Sequence, residues 1–130
     1  MRLYIIRAIL AGLLTVGFCS SASAQSTNAT LSGVVADSQG AVIPNAAVVA
    51  TQVDTGQSRN TQSGSDGHYT IPDLPIGNYR IAASSPGFKT LVIPSVTLQV
   101  NQSAVIRLTL AVGSTSEQVV VTEQVPLLNT

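Results

Sequence analysis

The sequence predicts an all-β fold, an antiparallel Greek-key sandwich of about seven strands, and three observations point to it. From Thr30 onward, short runs rich in Val, Ile, Thr and Tyr recur at intervals of about ten residues. Turn-forming clusters separate those runs, and no stretch shows the apolar spacing of a helix over a helix's length. Beyond Cys19 the chain has no cysteine, so packing rather than disulfides has to hold the fold.

Taken in order, strands are expected at Thr30–Ala36, Ala46–Gln52, Gln57–Gln62, His68–Ile71, Asn78–Ser84, Leu91–Val100 with a break at Pro94, and Ala104–Ala111. The clusters Asp37-Ser38-Gln39-Gly40, Asp54-Thr55-Gly56, Ser65-Asp66-Gly67 and Ser85-Pro86-Gly87 each set a polar turn former or a proline ahead of a glycine. Such a glycine can take positive φ, which marks Gly40, Gly67, Gly77 and Gly87 as structural turn positions. Alternation along the strands places Ala46, Val48, Ala50, Tyr69, Ile71, Tyr79, Ile81, Ala83, Ala104, Ile106, Leu108 and Leu110 in the core. Arg80, Ala82, Arg107 and Thr109 fall on the opposite faces.

Ahead of the first strand, Arg2 and Arg7 precede an apolar run from Ala8 to Phe18 and the small, polar run Cys19-Ser20-Ser21-Ala22-Ser23-Ala24. That order is a secretory signal, with cleavage expected after Ala24, because eleven apolar residues fall short of the roughly 20 that span a bilayer. Acylation of Cys19 is the rival reading, but that chemistry prefers a small residue where Phe18 stands. An exported chain of 106 residues remains, enough for one domain and too short for two. It carries Arg59, Arg80, Lys89 and Arg107 against Asp37, Asp54, Asp66, Asp73, Glu117 and Glu123, a net charge of about minus two that argues against nucleic acid as a partner.

After Ala111 the texture changes. Val112-Gly113-Ser114-Thr115-Ser116 reads as a polar linker, and Glu117-Gln118-Val119-Val120-Val121-Thr122 as an apolar strand that belongs to no hairpin. In a complete protein that run would leave an adhesive edge, so the tail reads as cut off. The chain is therefore divided into a signal peptide at 1–24, a sandwich at 25–112 and a linker with a partner-binding segment at 113–130.

Five pieces in order, Gly33 to Gly40, Ile43-Pro44-Asn45-Ala46, Asp66-Gly67-His68-Tyr69, Leu74 to Tyr79 and Pro86-Gly87-Phe88, resemble the carboxypeptidase regulatory-like domain. The resemblance implies a transthyretin-like (prealbumin-like) sandwich. The tail from Glu117 to Thr130 resembles the junction leading into the plug of a TonB-dependent outer-membrane receptor of the Oar type. Together they imply a non-catalytic regulatory or docking domain on the periplasmic face of the outer membrane, in a chain truncated before its plug and barrel. TonB is then the implied partner, by strand addition to Gln118, Val119, Val120, Val121 and Thr122, with equal weight on the alternative that Val119-Val120-Val121 is a buried strand of the missing plug or an eighth strand of this sandwich. The outer membrane would be reached only through the barrel that this sequence lacks.

No catalytic set, metal site or cofactor is expected. Zinc hydrolysis needs about three His or carboxylate ligands and a base, whereas His68 is the one histidine and sits beside Asp66 in a turn. No cysteine or base stands ready to activate a nucleophile in the exported chain. The first strand has no lysine for an isopeptide bond, and Lys89 at a strand start reads as solvated. Asn28-Ala29-Thr30 and Asn101-Gln102-Ser103 fit the glycosylation pattern, which carries little weight in the bacterium that the receptor resemblance implies. A carbohydrate-binding module or a structural spacer is the alternative function. Sugar sites stack rings on exposed aromatic faces, however, and the exported chain offers only Tyr69, Tyr79 and Phe88, of which the two tyrosines fall on the apolar face.

Overall fold

The computed structural model describes residues 27–121 and 128–129, the last two in backbone only; the expected signal peptide and Thr122 lie outside the described residues. The strands are β1 (Ala29–Asp37), β2 (Ala47–Gln52), β3 (Ser58–Gln62), β4 (His68–Leu74), β5 (Gly77–Ser84), β6 (Thr90–Leu98), β7 (Ser103–Val105), β8 (Leu108–Leu110), β9 (Gln118–Val120) and β10 (Leu128–Asn129). One sheet runs β10-β7-β1-β4, with β8 also on β1, and the other β3-β2-β5-β6-β9. Their inner faces enclose the core, which makes the fold a β-sandwich.

Every residue that alternation assigned to the core is buried, from Ala46 and Val48 through Tyr69 and Tyr79 to Leu108 and Leu110. β1 contributes Ala29, Leu31 and Val35 to the same cluster, and β6 adds Leu91, Ile93, Val96 and Leu98. The outward residues Arg80, Arg107 and Thr109 are exposed.

Three features depart from the expected pattern. The pairing is not wholly antiparallel, since β1 lies parallel to both β7 and β8, and β6 lies parallel to β9. The stretch expected as one strand, Ala104–Ala111, is two, because the chain dips inward at Ile106. A Cβ on Gly33 of β1 would overlap the Ile106 carbonyl, so only glycine admits that approach. Pro94, expected to break β6, is instead accommodated at an irregularity where the β5 partners shift from Tyr79↔Val96 to Ile81↔Ile93. A bulge there tolerates a residue that has no N–H.

The turns are fastened by side chains. Asp37 accepts from the Gln39 and Ala41 amides through Oδ1, both at 2.9 Å. φ is +87° at Gly40, +77° at Gly67, +142° at Gly77 and +85° at Gly87. Gly67 is the tightest of these turns, since a Cβ there would lie 2.7 Å from the Val42 Cβ and 2.9 Å from the Val35 carbonyl oxygen.

Candidate functional site

Among the described residues, two regions of the surface could act on another molecule. The first is a shallow depression of about 500 Å³ on the outer face of the β1 sheet, lined by Ser32, Val34, His68, Thr70, Val105 and Arg107 over the backbone of Gly33 and Tyr69. Its polar chemistry is slight. The His68 imidazole sits 3.1 Å from the Asp66 carboxylate, both well exposed. The main-chain amide of His68 hydrogen-bonds to Asp66 and, with the nearby imidazole, holds the Asp66 carboxyl below its usual range. Among the described residues no group of three or more His, Cys, Asp or Glu comes together to hold a metal.

The aromatic rings lie elsewhere. Tyr69 and Tyr79 are both only 2% exposed, and Phe88 packs half-buried against the core. The Tyr69 hydroxyl donates to the Ile106 carbonyl at 2.7 Å, bracing the point where the chain dips over Gly33. The Tyr79 hydroxyl donates to the Pro75 carbonyl four residues upstream at 2.6 Å, tying β5 to the turn that precedes it. Burial pushes both phenols up from their usual range, with Arg59 offsetting part of the effect at Tyr79. The two tyrosines thus brace the sandwich, and their rings are not presented for a sugar to stack on.

The second region is the segment after β8, expected to be a polar linker followed by a strand that either receives a partner or adds to the sandwich. It lies along β6. The Lys89 amide donates to the Ala111 carbonyl at 2.7 Å, Phe88 bridges Val112, and the Gly113 amide donates to the Gly87 carbonyl at 3.1 Å. The Thr90 hydroxyl then donates to the Thr115 carbonyl at 2.8 Å, and Lys89 Nζ reaches the Glu117 carboxylate at 3.2 Å. Lys89, expected to be solvated, is half-buried, and its stem lies so close over Gly113 that a Cβ there would meet Lys89 Cγ at 2.6 Å.

From this anchorage the chain enters β9, where Gln118, Val119 and Val120 pair with Thr90, Leu91 and Val92. Gln118, Val119 and Val120 thus lie together on the sheet edge, and Val121 continues the line, packing partly against the core while its amide donates to Val92 at 2.9 Å. Pairing therefore continues past residue 112. A parallel edge strand follows no tight turn, so nothing in the local sequence announces where it docks.

One position matters to the fold and was missed by sequence reasoning. Ser63 is buried, donating from Oγ to the Ile43 carbonyl at 2.6 Å and accepting from the Ala46 amide at 2.8 Å. A serine in a turn is usually exposed, and no neighbouring residue signals otherwise.

A two-sheet β-sandwich with side-chain-braced turns and a docked C-terminal strand defines a small β-sandwich module. The chain belongs to the carboxypeptidase regulatory-like domain family, whose profile matches residues 30–111. Among solved structures it is similar to the dioxygenase domain of a dioxygenase carbohydrate-binding protein fusion from Streptomyces sp. SirexAA-E, at 14% identity and TM-score 0.51 over 72% of this chain and 85% of that one. It is also similar to a protein assigned as carbohydrate-binding from Bacteroides uniformis, at 12% identity and TM-score 0.53 over 64% of this chain and 41% of that one. The Bacillus anthracis TIE protein matches at 17% identity and TM-score 0.56 over 66% of this chain and 17% of its own length. At such identities the likeness is one of fold. No curated protein matches the chain significantly.

Proposed function

We propose that this chain is a non-catalytic regulatory or docking domain of an exported protein, working at the periplasmic face of the outer membrane as the N-terminal part of a TonB-dependent receptor. The observation that carries the proposal is β9, a short edge strand whose Val119 and Val120 stay 38% and 50% exposed although it pairs with β6. Strand addition needs an extended segment with main-chain groups available on one side, and a preformed edge strand supplies that with little further loss of conformational freedom. The family membership and the apolar sequence after Glu117 support the same reading. Export rests on the Arg2 to Ala24 segment.

The test is a calorimetric titration of residues 25–130 with the purified C-terminal domain of TonB from the source organism, beside a Val120→Pro variant. Proline removes one main-chain donor from an exposed edge and leaves the sandwich folded. Binding by the wild type that is weakened about tenfold or more in the variant is the expected result. Absence of binding by both would overturn the receptor reading.

A further inference from the structure

The hydrogen bonds around β9 fix which of its main-chain groups are in use. In an extended strand the N–H and C=O of one residue point to the same side, and the side alternates from residue to residue. The Thr90 amide donates to the Glu117 carbonyl at 2.9 Å, and the Val121 amide donates to the Val92 carbonyl at 2.9 Å. The Glu117 carbonyl and the Val121 amide are therefore spent on β6, the Glu117 amide turns back to the Ser114 carbonyl at 2.9 Å, and by alternation the main-chain groups of Val119 face β6 as well. Those of Gln118 and Val120 point away from it, at the outermost position of the sheet.

The two outer edges of this sheet are built differently. At β3 the strand is Ser58-Arg59-Asn60-Thr61-Gln62, polar throughout and charged at Arg59, the composition that blocks association. At β9 the strand is Gln118-Val119-Val120, with no charge inside it and two exposed valines. The Glu117 carboxylate beside β9 is already paired with Lys89 Nζ at 3.2 Å, so it sets no unpaired charge against an incoming strand.

We infer that the sandwich is a platform holding residues 117–121 preformed, and that an extended strand of the TonB C-terminal domain joins the outer edge of β9 through the main-chain groups of Gln118 and Val120 while β9 stays docked on β6. This rests on the strand-addition reading above and adds its register, its side and its positioning residues. Lys89 and Thr90 hold the segment through Glu117 and Thr115, and Gly113 leaves room for the Lys89 stem. The partner thus extends the sheet and does not compete with the sandwich for the strand.

Two prolines one residue apart separate the possibilities. Val120→Pro removes an outward N–H, whereas Val121→Pro removes the N–H given to Val92. Binding of residues 25–130 to the purified TonB C-terminal domain is measured for both, with amide exchange at Thr90 and Val92 reporting whether β9 is docked. The inference expects Val120→Pro to keep the Thr90 and Val92 amides protected and to weaken binding by about tenfold or more, the equivalent of one main-chain hydrogen bond. Val121→Pro is expected to loosen β9, raise exchange at Thr90 and Val92, and also weaken binding, because the platform is lost. Tighter binding by Val121→Pro would overturn the inference and leave strand addition standing, since β9 would then have to leave β6 before the partner could take it. Binding unchanged in both variants would overturn the register. No binding by the wild type would overturn the reading beneath it as well.

Discussion

Tyr69→Phe tests the bracing of the sandwich at a single atom. The substitution keeps the buried ring and removes only the hydroxyl that donates to Ile106 at 2.7 Å. Ile106 is 1% exposed, so its carbonyl loses a donor with little access to water. A buried acceptor left in that state costs about 1–3 kcal/mol. For a domain of this size each kcal/mol lowers Tm by about 4–8 °C, which circular dichroism resolves easily. The same variant has a signature in pH. Burial raises the Tyr69 phenol above its usual 10.0, so above that pH the unfolded chain gives up a proton that the folded chain keeps. The stabilisation is complete below pH 10 and is lost as pH rises toward the raised value, at about 1.4 kcal/mol per pH unit. Urea titrations from pH 8 to 11 should therefore show wild-type stability falling more steeply than that of Tyr69→Phe. A variant whose Tm lies within about 2 °C of wild type, with the same alkaline slope, would refute the reasoning.

Other outcomes follow from the same geometry. Ser63→Ala orphans the Ile43 carbonyl and the Ala46 amide together and should cost about 2–4 kcal/mol in urea unfolding. Gly67→Ala drives a Cβ against Val42 and the Val35 carbonyl and should cost about 2–4 kcal/mol, whereas Gly40→Ala meets no atom within 4 Å and should cost only about 1 kcal/mol for its positive φ. Equal losses at the two glycines would show that space plays no part. Tyr79→Ala should lose about 3–5 kcal/mol, as expected of a large buried aromatic ring, and a negligible loss would contradict its place in the core.

The sandwich was legible because strands such as β2 and β5 bury every second residue. Tyr79, Ile81 and Ala83 point inward because a strand turns every second side chain to the same face, and the pattern survives without knowledge of any neighbour. Pairing direction was not legible, since β1 meets β7 and β8 across a separation in sequence that leaves no local mark. The close approach at Gly33 was hidden for the same reason, because the atom that excludes a side chain there belongs to Ile106. Of the candidate segment, Gln118 to Val121 stood out by apolarity alone. Whether it was free or docked depended on Lys89 and Thr90, whose roles emerge only when residues 111–121 lie beside them. Ser63 shows the converse case, a polar turn residue whose two partners are set by the fold and by nothing in its own stretch of sequence.

Reception of a partner strand at the edge of this sandwich, through one set of main-chain groups, leaves a mark on individual amides. Amide exchange and chemical shifts of isotopically labelled residues 25–130, recorded with and without the TonB C-terminal domain, address it residue by residue. New protection at the Gln118 and Val120 amides is expected on binding, with protection at Thr90, Val92 and Val121 retained. Unprotected Gln118 and Val120 in the complex, or shifts confined to the depression between Ser32 and Arg107, would contradict it.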